Sequence, residues 1–478
     1  MEKRSLYFFF LAILFLVIYT YLVSKFTPST PLPQKKETKI EKEEETFIEK
    51  FPSSSEVVNE EVKNFSLKIF LTGGYIKNIF LKKYQEELLF EDIGFIPKYK
   101  DVKFNLKKEK NKIILSNNNL GIRKEFEFED YLLKLKFFLP HKNVKSVIFS
   151  QVFSFKGLER RYQEIFYKKN NRIIFTKPYH FKKIKGKNEE SLKFVGARDR
   201  YYCLCLLEGS YTGDFKKGKK KIYFLTLIPQ KESLWKIYVG PQVYKELKPF
   251  HLEEIINYGM FHSLGVVILK LLYLFNSFTK NWGLSIIFLS AVIFLILFPF
   301  TAKSTKAMKK MQEFQPKIEE IQKKYKDNPQ KQQKAILELY KKHKINPLGG
   351  CLPIFFQFPI FIALYQVLLR FIELKGARFL WIKDLSLPDQ AFKLPISLPF
   401  LGNYINLLPI FIIILGLLQQ KVTSKETSSS QQKIMGLYFV VFLGVIFYNF
   451  PSGLVLYWLT QNILTLIFHL RTSSFLPK

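Results

Sequence analysis

Cysteine and histidine are scarce in this chain: 478 residues hold three cysteines (Cys203, Cys205 and Cys351) and six histidines. Three thiols exclude a disulfide-stapled scaffold, and six scattered imidazoles argue against a histidine-rich metal centre. Acidic residues are also few, 40 Asp and Glu against 74 Lys and Arg, for a formal net charge of +34. The longest apolar runs lack charge of either sign. Trp282–Phe300, Leu348–Leu369, Tyr404–Leu418, Ile434–Phe450 and Leu454–Phe468 contain no Asp, Glu, Lys or Arg. Proton relays and ion pathways in membranes are marked by intramembrane charges, each costing about 2.5–3.5 kcal/mol on insertion scales, so a proton-coupled transporter is disfavoured.

What is abundant points to two unlike parts. Hydrophobic residues make up 48% of the chain and phenylalanine alone 50 positions, which excludes a uniformly disordered polymer. Mean hydropathy is nevertheless only +0.01, too low for a chain embedded in lipid throughout. At about 150 residues per domain, the length accommodates roughly three units.

About 20 apolar residues span a bilayer as a helix, so each of the five runs is a candidate span. The last two flank Phe450-Pro451-Ser452-Gly453, a turn too short to cross anything, and form a helical hairpin. Leu6–Val23, preceded by Lys3 and Arg4, is longer than a signal-peptide core and lacks a small-residue cleavage site. It is expected to be an uncleaved anchor. Leu264–Phe278 is shorter and carries Lys270 at its middle. Were it a span, the loop Thr301–Pro347, with thirteen lysines, would fall outside the cell. Short loops this basic stay cytoplasmic, so residues 248–280 are expected to lie along the outer interface as an amphipathic helix. The resulting topology has six spans and both termini in the cytoplasm.

Ser24–Ser55 has no apolar period and reads as a flexible tether. Residues 56–247 show short alternating runs such as Phe65-Ser66-Leu67-Lys68-Ile69 and Lys124-Glu125-Phe126-Glu127-Phe128, bounded by turns such as Thr72-Gly73-Gly74. Period-two alternation argues an all-β sandwich outside the membrane. Cys203 and Cys205 share one face of a strand there, as inert core thiols. No paired acids or nucleophile–base set supports catalysis, and the chain is expected not to be an enzyme.

The basic loop has its own pattern. Met311, Phe314, Ile318, Ile321 and Tyr325 recur at steps of three and four, a coiled-coil seam answered by Ile336, Leu339 and His343. Pro316 should kink or restart the first helix. An antiparallel basic hairpin over 301–347 follows, with Lys309, Lys310, Lys317, Lys323, Lys324, Lys334 and Lys341 as a docking face for an acidic or nascent partner. No aromatic platform accompanies these lysines, so a specific nucleic-acid partner is not expected. Within the spans the polar groups are uncharged: Ser285, Ser290, Gln357, Gln366, Tyr438, Asn449, Thr460, Gln461, Asn462 and Thr465. Such groups need a partner or water at membrane depth. They either stitch helices together or line a hydrated cavity for a guest chain.

Three stretches carry a resemblance: Asn346-Pro347-Leu348-Gly349-Gly350-Cys351-Leu352-Pro353 continuing into Gln357-Phe358-Pro359-Ile360-Phe361-Ile362-Ala363-Leu364-Tyr365; Leu380-Trp381-Ile382-Lys383-Asp384-Leu385-Ser386; and Phe450 to Trp458. They closely resemble the YidC/Oxa/Alb membrane protein insertases. Gln315-Pro316-Lys317-Ile318 sits where that family has its cytoplasmic hairpin, and Tyr238-Val239-Gly240-Pro241 resembles the end of its periplasmic domain. The match is dense from Trp282 to Leu470 and thins over the β region.

The resemblance implies a polytopic all-α membrane core of five helices over 281–470 with a cytoplasmic helical hairpin. It adds an N-terminal anchor (1–23), a periplasmic β domain and a short cytoplasmic tail (471–478), the arrangement of Gram-negative members in the inner membrane. It implies insertion and folding of nascent membrane proteins, alone or beside the Sec translocon, through a groove open to cytoplasm and lipid, with no cofactor. The ribosome would dock on Lys421–Lys433 and the hairpin. Candidate groove residues are Ser290, Phe294, Gln357, Tyr365, Gln366, Tyr438, Trp458, Gln461 and Asn462. Phe294 takes the position where the family usually has a groove arginine, so an uncharged groove is expected. A solute channel or transporter is the alternative, and a ligand-binding sensor a third reading.

Overall fold

The computed structural model describes residues 56–88, 93–96, 99–140, 147–151, 163–169, 172–176, 194–208, 213–217, 223–227, 232–343, 345–346, 352–398, 402–423 and 430–474. The expected anchor (1–23), the tether (24–55), residues 347–351 of the first motif, including Cys351, part of Lys421–Lys433 and the last four residues of the tail lie outside them.

The described residues from 56 to 241 form sheets. The strands β1 (Val57–Val62), β2 (Phe65–Phe70), β3 (Tyr75–Leu81) and β4 (Glu86–Glu87) pair in sequence order. Next come β5 (Asn105–Glu109), β6 (Lys112–Asn117), β7 (Ile122–Glu129), β8 (Leu132–Phe138) and β9 (Val147–Gln151). They are followed by β10 (Glu164–Lys169), β11 (Arg172–Thr176), β12 (Val195–Arg198), β13 (Tyr202–Glu208), β14 (Gly213–Lys217), β15 (Tyr223–Leu227) and β16 (Glu232–Pro241). The large sheet runs in the order β11-β10-β12-β13-β16-β8-β7-β6-β5, and β14-β15-β9 form a third sheet. Alternation sets the buried faces: Phe65, Leu67 and Ile69 on β2 and Ile122, Phe126 and Phe128 on β7 are all buried. The first two sheets meet where Phe65 lies 5.7 Å from Phe128 between ring centroids. Cys203 and Cys205 are fully buried on β13, and burial pushes both thiols well above their usual range.

One polar side chain breaks the apolar face of β7. Lys124 is completely buried, and its Nζ donates to the carbonyls of Gly73 (2.8 Å), Gly74 (2.7 Å) and Gly94 (3.0 Å) beneath the Phe104 ring. Gly73 and Gly74 have φ of +86° and +59°, which only glycine adopts freely. A Cβ on Gly74 would stand 2.7 Å from the Phe104 ring.

After β16 the chain turns helical. α1 spans His262–Thr279, α2 Trp282–Glu313, α3 Gln315–Lys324, α4 Pro329–Lys342 and α5 Leu352–Arg370. A two-stranded hairpin, β17 (Phe392–Leu398) and β18 (Gly402–Ile405), precedes α6 (Leu407–Thr423), α7 (Ser430–Phe447) and α8 (Ser452–Ser474). Among the described residues Gly259–Thr279, Trp282–Glu313 and Ser452–Arg471 are long and apolar enough to cross a membrane, and α5, α6 and α7 contain shorter apolar stretches. α1 packs on α2 and α5, α8 on α2 and α6, and α7 on α6.

Several boundaries differ from the apolar runs for local reasons. Tyr404 and Ile405 lie in β18, because Asp389 accepts from the Leu408 amide (2.8 Å) and caps α6 only from there. α2 runs through Pro299 to Glu313, well past the end of its apolar stretch. The chain then breaks at Phe314, and Pro316 falls in the first turn of α3, where its missing N–H costs nothing. Asn328 caps α4 by accepting from the Lys331 amide. α3 and α4 fold back on each other, Phe314 lying 4.4 Å from the His343 ring.

Candidate functional site: an uncharged polar seam in the helix bundle

The second and third motifs meet first through backbone. Ser452 N donates to Leu387 O (2.7 Å) and Gly453 N to Leu385 O (2.9 Å), while Ser452 Oγ reaches Asp384 O (3.1 Å). These bonds satisfy amides at the start of α8 that have no partner within the helix. At Gly453 a Cβ would sit 3.2 Å from Leu385 O, so the close approach of this loop calls for glycine.

One turn further along α8 the polar seam begins. Tyr457 is fully buried, its hydroxyl accepts from Gln357 Nε2 on α5 (2.5 Å), and Gln461 stands one turn on along the same helix. Gln461 Nε2 donates to Ser290 O on α2 (2.8 Å), and the buried Ser290 Oγ donates to Ile286 O (2.7 Å). Gln419 Nε2 on α6 reaches Asn462 O (2.7 Å). Four helices are thus joined by uncharged groups in an otherwise apolar bundle, each hydrogen bond contributing about 0.6 kcal/mol in a membrane setting.

The other sequence candidates stand around this seam. Trp458 packs edge-on against Phe361 (5.4 Å) and beside Phe447 (5.3 Å), and Tyr365 stacks on Phe450 (5.7 Å), so both belong to one aromatic wall. Gln366 accepts from Arg370 one turn away on α5. Phe294 is half-buried, with Phe298 at 6.1 Å, and Phe298 meets Phe468 of α8. Tyr438 is 58% exposed on α7 and is not a member of the seam. The structure therefore brings together Ser290, Gln357 and Gln461, sets Asn462 beside them, and adds Tyr457. The sequence reading passed over Tyr457, although its spacing of four from Gln461 puts both on one helix face.

The basic hairpin continues from α2. Lys310, Lys317, Lys323, Lys324, Lys334 and Lys341 are exposed and Lys309 is half-buried. Lys317 and Lys324 hold their ammonium groups over the rings of Phe314 (5.4 Å) and Tyr325 (5.6 Å), leaving most of the charge facing solvent.

At the far end of α5 the β region grips the bundle. Arg200 Nε donates to Leu369 O, and Glu86 binds both Tyr202 of β13 and Lys375. Glu373, in the turn after α5, is half-buried and accepts from Tyr273 of α1. Burial raises its pKa, against the pull of that hydroxyl. Among the described residues no three His, Cys, Asp or Glu side chains cluster as metal ligands.

Residues 274–477 match the family model described as 60Kd inner membrane protein. Over these residues the chain is similar to the YidC insertases. "Membrane protein insertase YidC" of Chlorobium luteolum is 36% identical over 304 residues, 59% of this chain and 52% of that protein. The protein of that name from Endomicrobium trichonymphae is 36% identical over 62% of this chain and 59% of its own length. That of Geobacter metallireducens reaches 41% over 50% of this chain and 42% of its own. The chain spans about half the length of the curated relatives it matches. A crystal structure described as an active YidC insertase with its first transmembrane domain resolved is 19% identical, covering 89% of this chain and 93% of its own, with a TM-score of 0.46. The family match and the apolar helices make this a multi-pass inner-membrane protein with a β-rich N-terminal region and a helical C-terminal region.

Proposed function

We propose that this chain is a membrane protein insertase and chaperone, acting on nascent membrane proteins in the inner membrane, alone or beside the Sec translocon. The observation that carries the reading is the seam of Ser290, Gln357, Tyr457 and Gln461, polar but uncharged, lying within the region that matches the family. A guest segment with polar flanks meets a high barrier in hydrocarbon, because each unpaired backbone group there costs several kcal/mol. Side chains that exchange hydrogen bonds among themselves can exchange them with a passing chain, which lowers that barrier. Transfer of the guest's apolar segment into lipid then supplies the driving force, so no nucleotide, metal or covalent step is required.

In this reading the five core helices are α2, α5, α6, α7 and α8, with α3 and α4 on the cytoplasmic side and α1 along the outer interface. The β region of 56–247 is periplasmic, residues 1–23 anchor the chain and both termini are cytoplasmic. The guest slides into lipid along α5 and α7. Thirteen lysines against five acidic residues in 301–347 make the hairpin the natural first contact for an acidic or nascent partner. Together with Lys421–Lys433 it is also the surface for the ribosome.

The test is reconstitution. The purified full chain in liposomes is given a small single-span client, protease protection reports insertion, and a variant lacking Lys309–Lys342 is run in parallel. Insertion well above empty liposomes that falls when the hairpin is deleted is the expected result. Insertion no greater than in empty liposomes would overturn autonomous activity, and solute flux in its place would favour a channel.

A further inference from the structure

A cavity of about 260 Å³ opens beside α1, away from the polar seam. Its walls are the segment Glu253–Tyr258 and the α1 face carrying His262, Val266, Lys270 and Tyr273. Two of its charges are unmatched. Lys270 is exposed and has no ion-pair partner among the described residues, and Glu253 Oε2 is buried with no hydrogen-bond partner among them. The neighbouring Glu254 is already satisfied by Lys168 at 2.8 Å. His262 is held in place by stacking on Tyr258 at 5.8 Å.

The surroundings suit a membrane surface. Val267, Lys270 and Leu274 follow one another along a single helix face, and Val267, Leu274 and Phe278 are all more than half exposed. A lysine within such an apolar stripe extends its charge to the polar boundary while its stem lies on hydrocarbon. Tyr244, Tyr258 and Tyr273 line the cavity, and tyrosine is the residue that settles at headgroup level.

We propose that this cavity binds the headgroup of a phospholipid bearing a primary amine. The phosphate would sit at Lys270, the ammonium would donate to Glu253 Oε2, and the acyl chains would follow the Val267–Leu274–Phe278 stripe. A lone anion would leave Glu253 unmatched, and a lone cation would leave Lys270 so. A zwitterion with its charges on adjacent groups answers both. A quaternary ammonium has no N–H for Glu253, and a glycerol headgroup has no cation, so both fit less well. The inference goes beyond the insertase reading and rests only on its placement of α1 at the membrane surface.

The test uses the full chain in detergent and native mass spectrometry, with phosphatidylethanolamine, phosphatidylcholine and phosphatidylglycerol of identical acyl chains, and soluble phosphoethanolamine as a fourth arm. The ethanolamine lipid should be retained about tenfold better than the other two, the effect of one charge-assisted hydrogen bond. Glu253→Gln should abolish that preference while leaving general retention intact. Lys270→Ala should lower retention of all three lipids and Lys270→Arg should restore it. Unchanged melting temperatures establish that the variants are folded. Equal retention of the three lipids, a preference that survives Glu253→Gln, or equally strong binding of soluble phosphoethanolamine would each overturn the proposal. No client is involved, so a failure of insertion activity leaves the result readable.

Discussion

Gln357 and Tyr457, a hundred residues apart, share a hydrogen bond between the second turn of α5 and the first turns of α8. One turn on along α8, Gln461 is tied to the backbone of α2. Tyr457→Phe keeps the ring and the packing and deletes only the oxygen. At about 0.6 kcal/mol per intramembrane hydrogen bond, the loss is too small to unfold the bundle. If the seam serves passing chains, insertion of clients with polar flanks should fall several-fold, while clients without them are little affected. Protease protection with matched pairs of clients decides this, and equal insertion of both pairs would leave the seam a purely structural stitch.

Phe294 tests what an uncharged groove can handle. Its ring is half-buried on α2, beside Phe298 and one turn beyond Ser290. Arginine at a helix centre costs about 2.5–3.5 kcal/mol on insertion scales unless water or a counter-charge reaches it. Phe294→Arg should therefore give folded protein only if the site is hydrated, and then insertion of acidic-tailed clients should rise several-fold over wild type. Yield in membranes and insertion of acidic against neutral tails are the paired readouts. Folded protein without that gain would count against the groove position of Phe294.

These two residues also mark how far the sequence can be read. Phe294 was picked out by the family resemblance, as the position where a groove arginine is usual, and Ser290 also as a polar residue within an apolar run, a local signal. Tyr457 was not, because a tyrosine in an apolar helix looks like any core aromatic until its partner on another helix is known. The same divide holds elsewhere. Alternation in β2 and β7 identified their buried faces, and the steps of three and four at Phe314 and Ile318 announced the helix pair. The order of the nine-stranded sheet and the grip of Arg200 on Leu369 depend on residues far apart in the chain, and no period encodes them. Lys124 shows how a local rule can mislead. Its alternation with Phe126 and Phe128 places it on the buried face, where a lysine is the last residue one expects.

Glu373 yields a pH prediction. Its pKa is raised, first by burial and further by Glu246, against the Tyr273 hydroxyl and Lys83. The folded state therefore holds its proton to higher pH than the unfolded chain does. Its contribution is complete below the unfolded value of about 4.3 and is lost as pH rises through the raised folded value. Glu373→Gln removes the charge and keeps an oxygen for Tyr273. The variant should be more stable than wild type at pH 8 and nearly equal at pH 4, by thermal unfolding in detergent. Equal stability at both values would mean that the carboxylate is solvated.

Lys124 gives the opposite sign. Burial lowers its pKa from 10.5 to about 7, so between those values the unfolded chain binds more protons than the folded one. Stability of the β region should then rise with pH across that window, be complete above the unfolded value and be lost as pH falls through about 7. The three glycine carbonyls work against the shift, since three acceptors call for three N–H donors and only the ammonium has them. The pH slope measured on the full chain, by hydrogen exchange of β2, β3 and β7 peptides, reports which effect is larger. Lys124→Met fits the space but strips the donor from three buried carbonyls, each costing about 1–3 kcal/mol unless water enters. It should flatten the pH slope and speed exchange most at the Gly73–Gly74 turn and around Gly94. Uniform destabilisation with an unchanged slope would show that Lys124 does not titrate in this window.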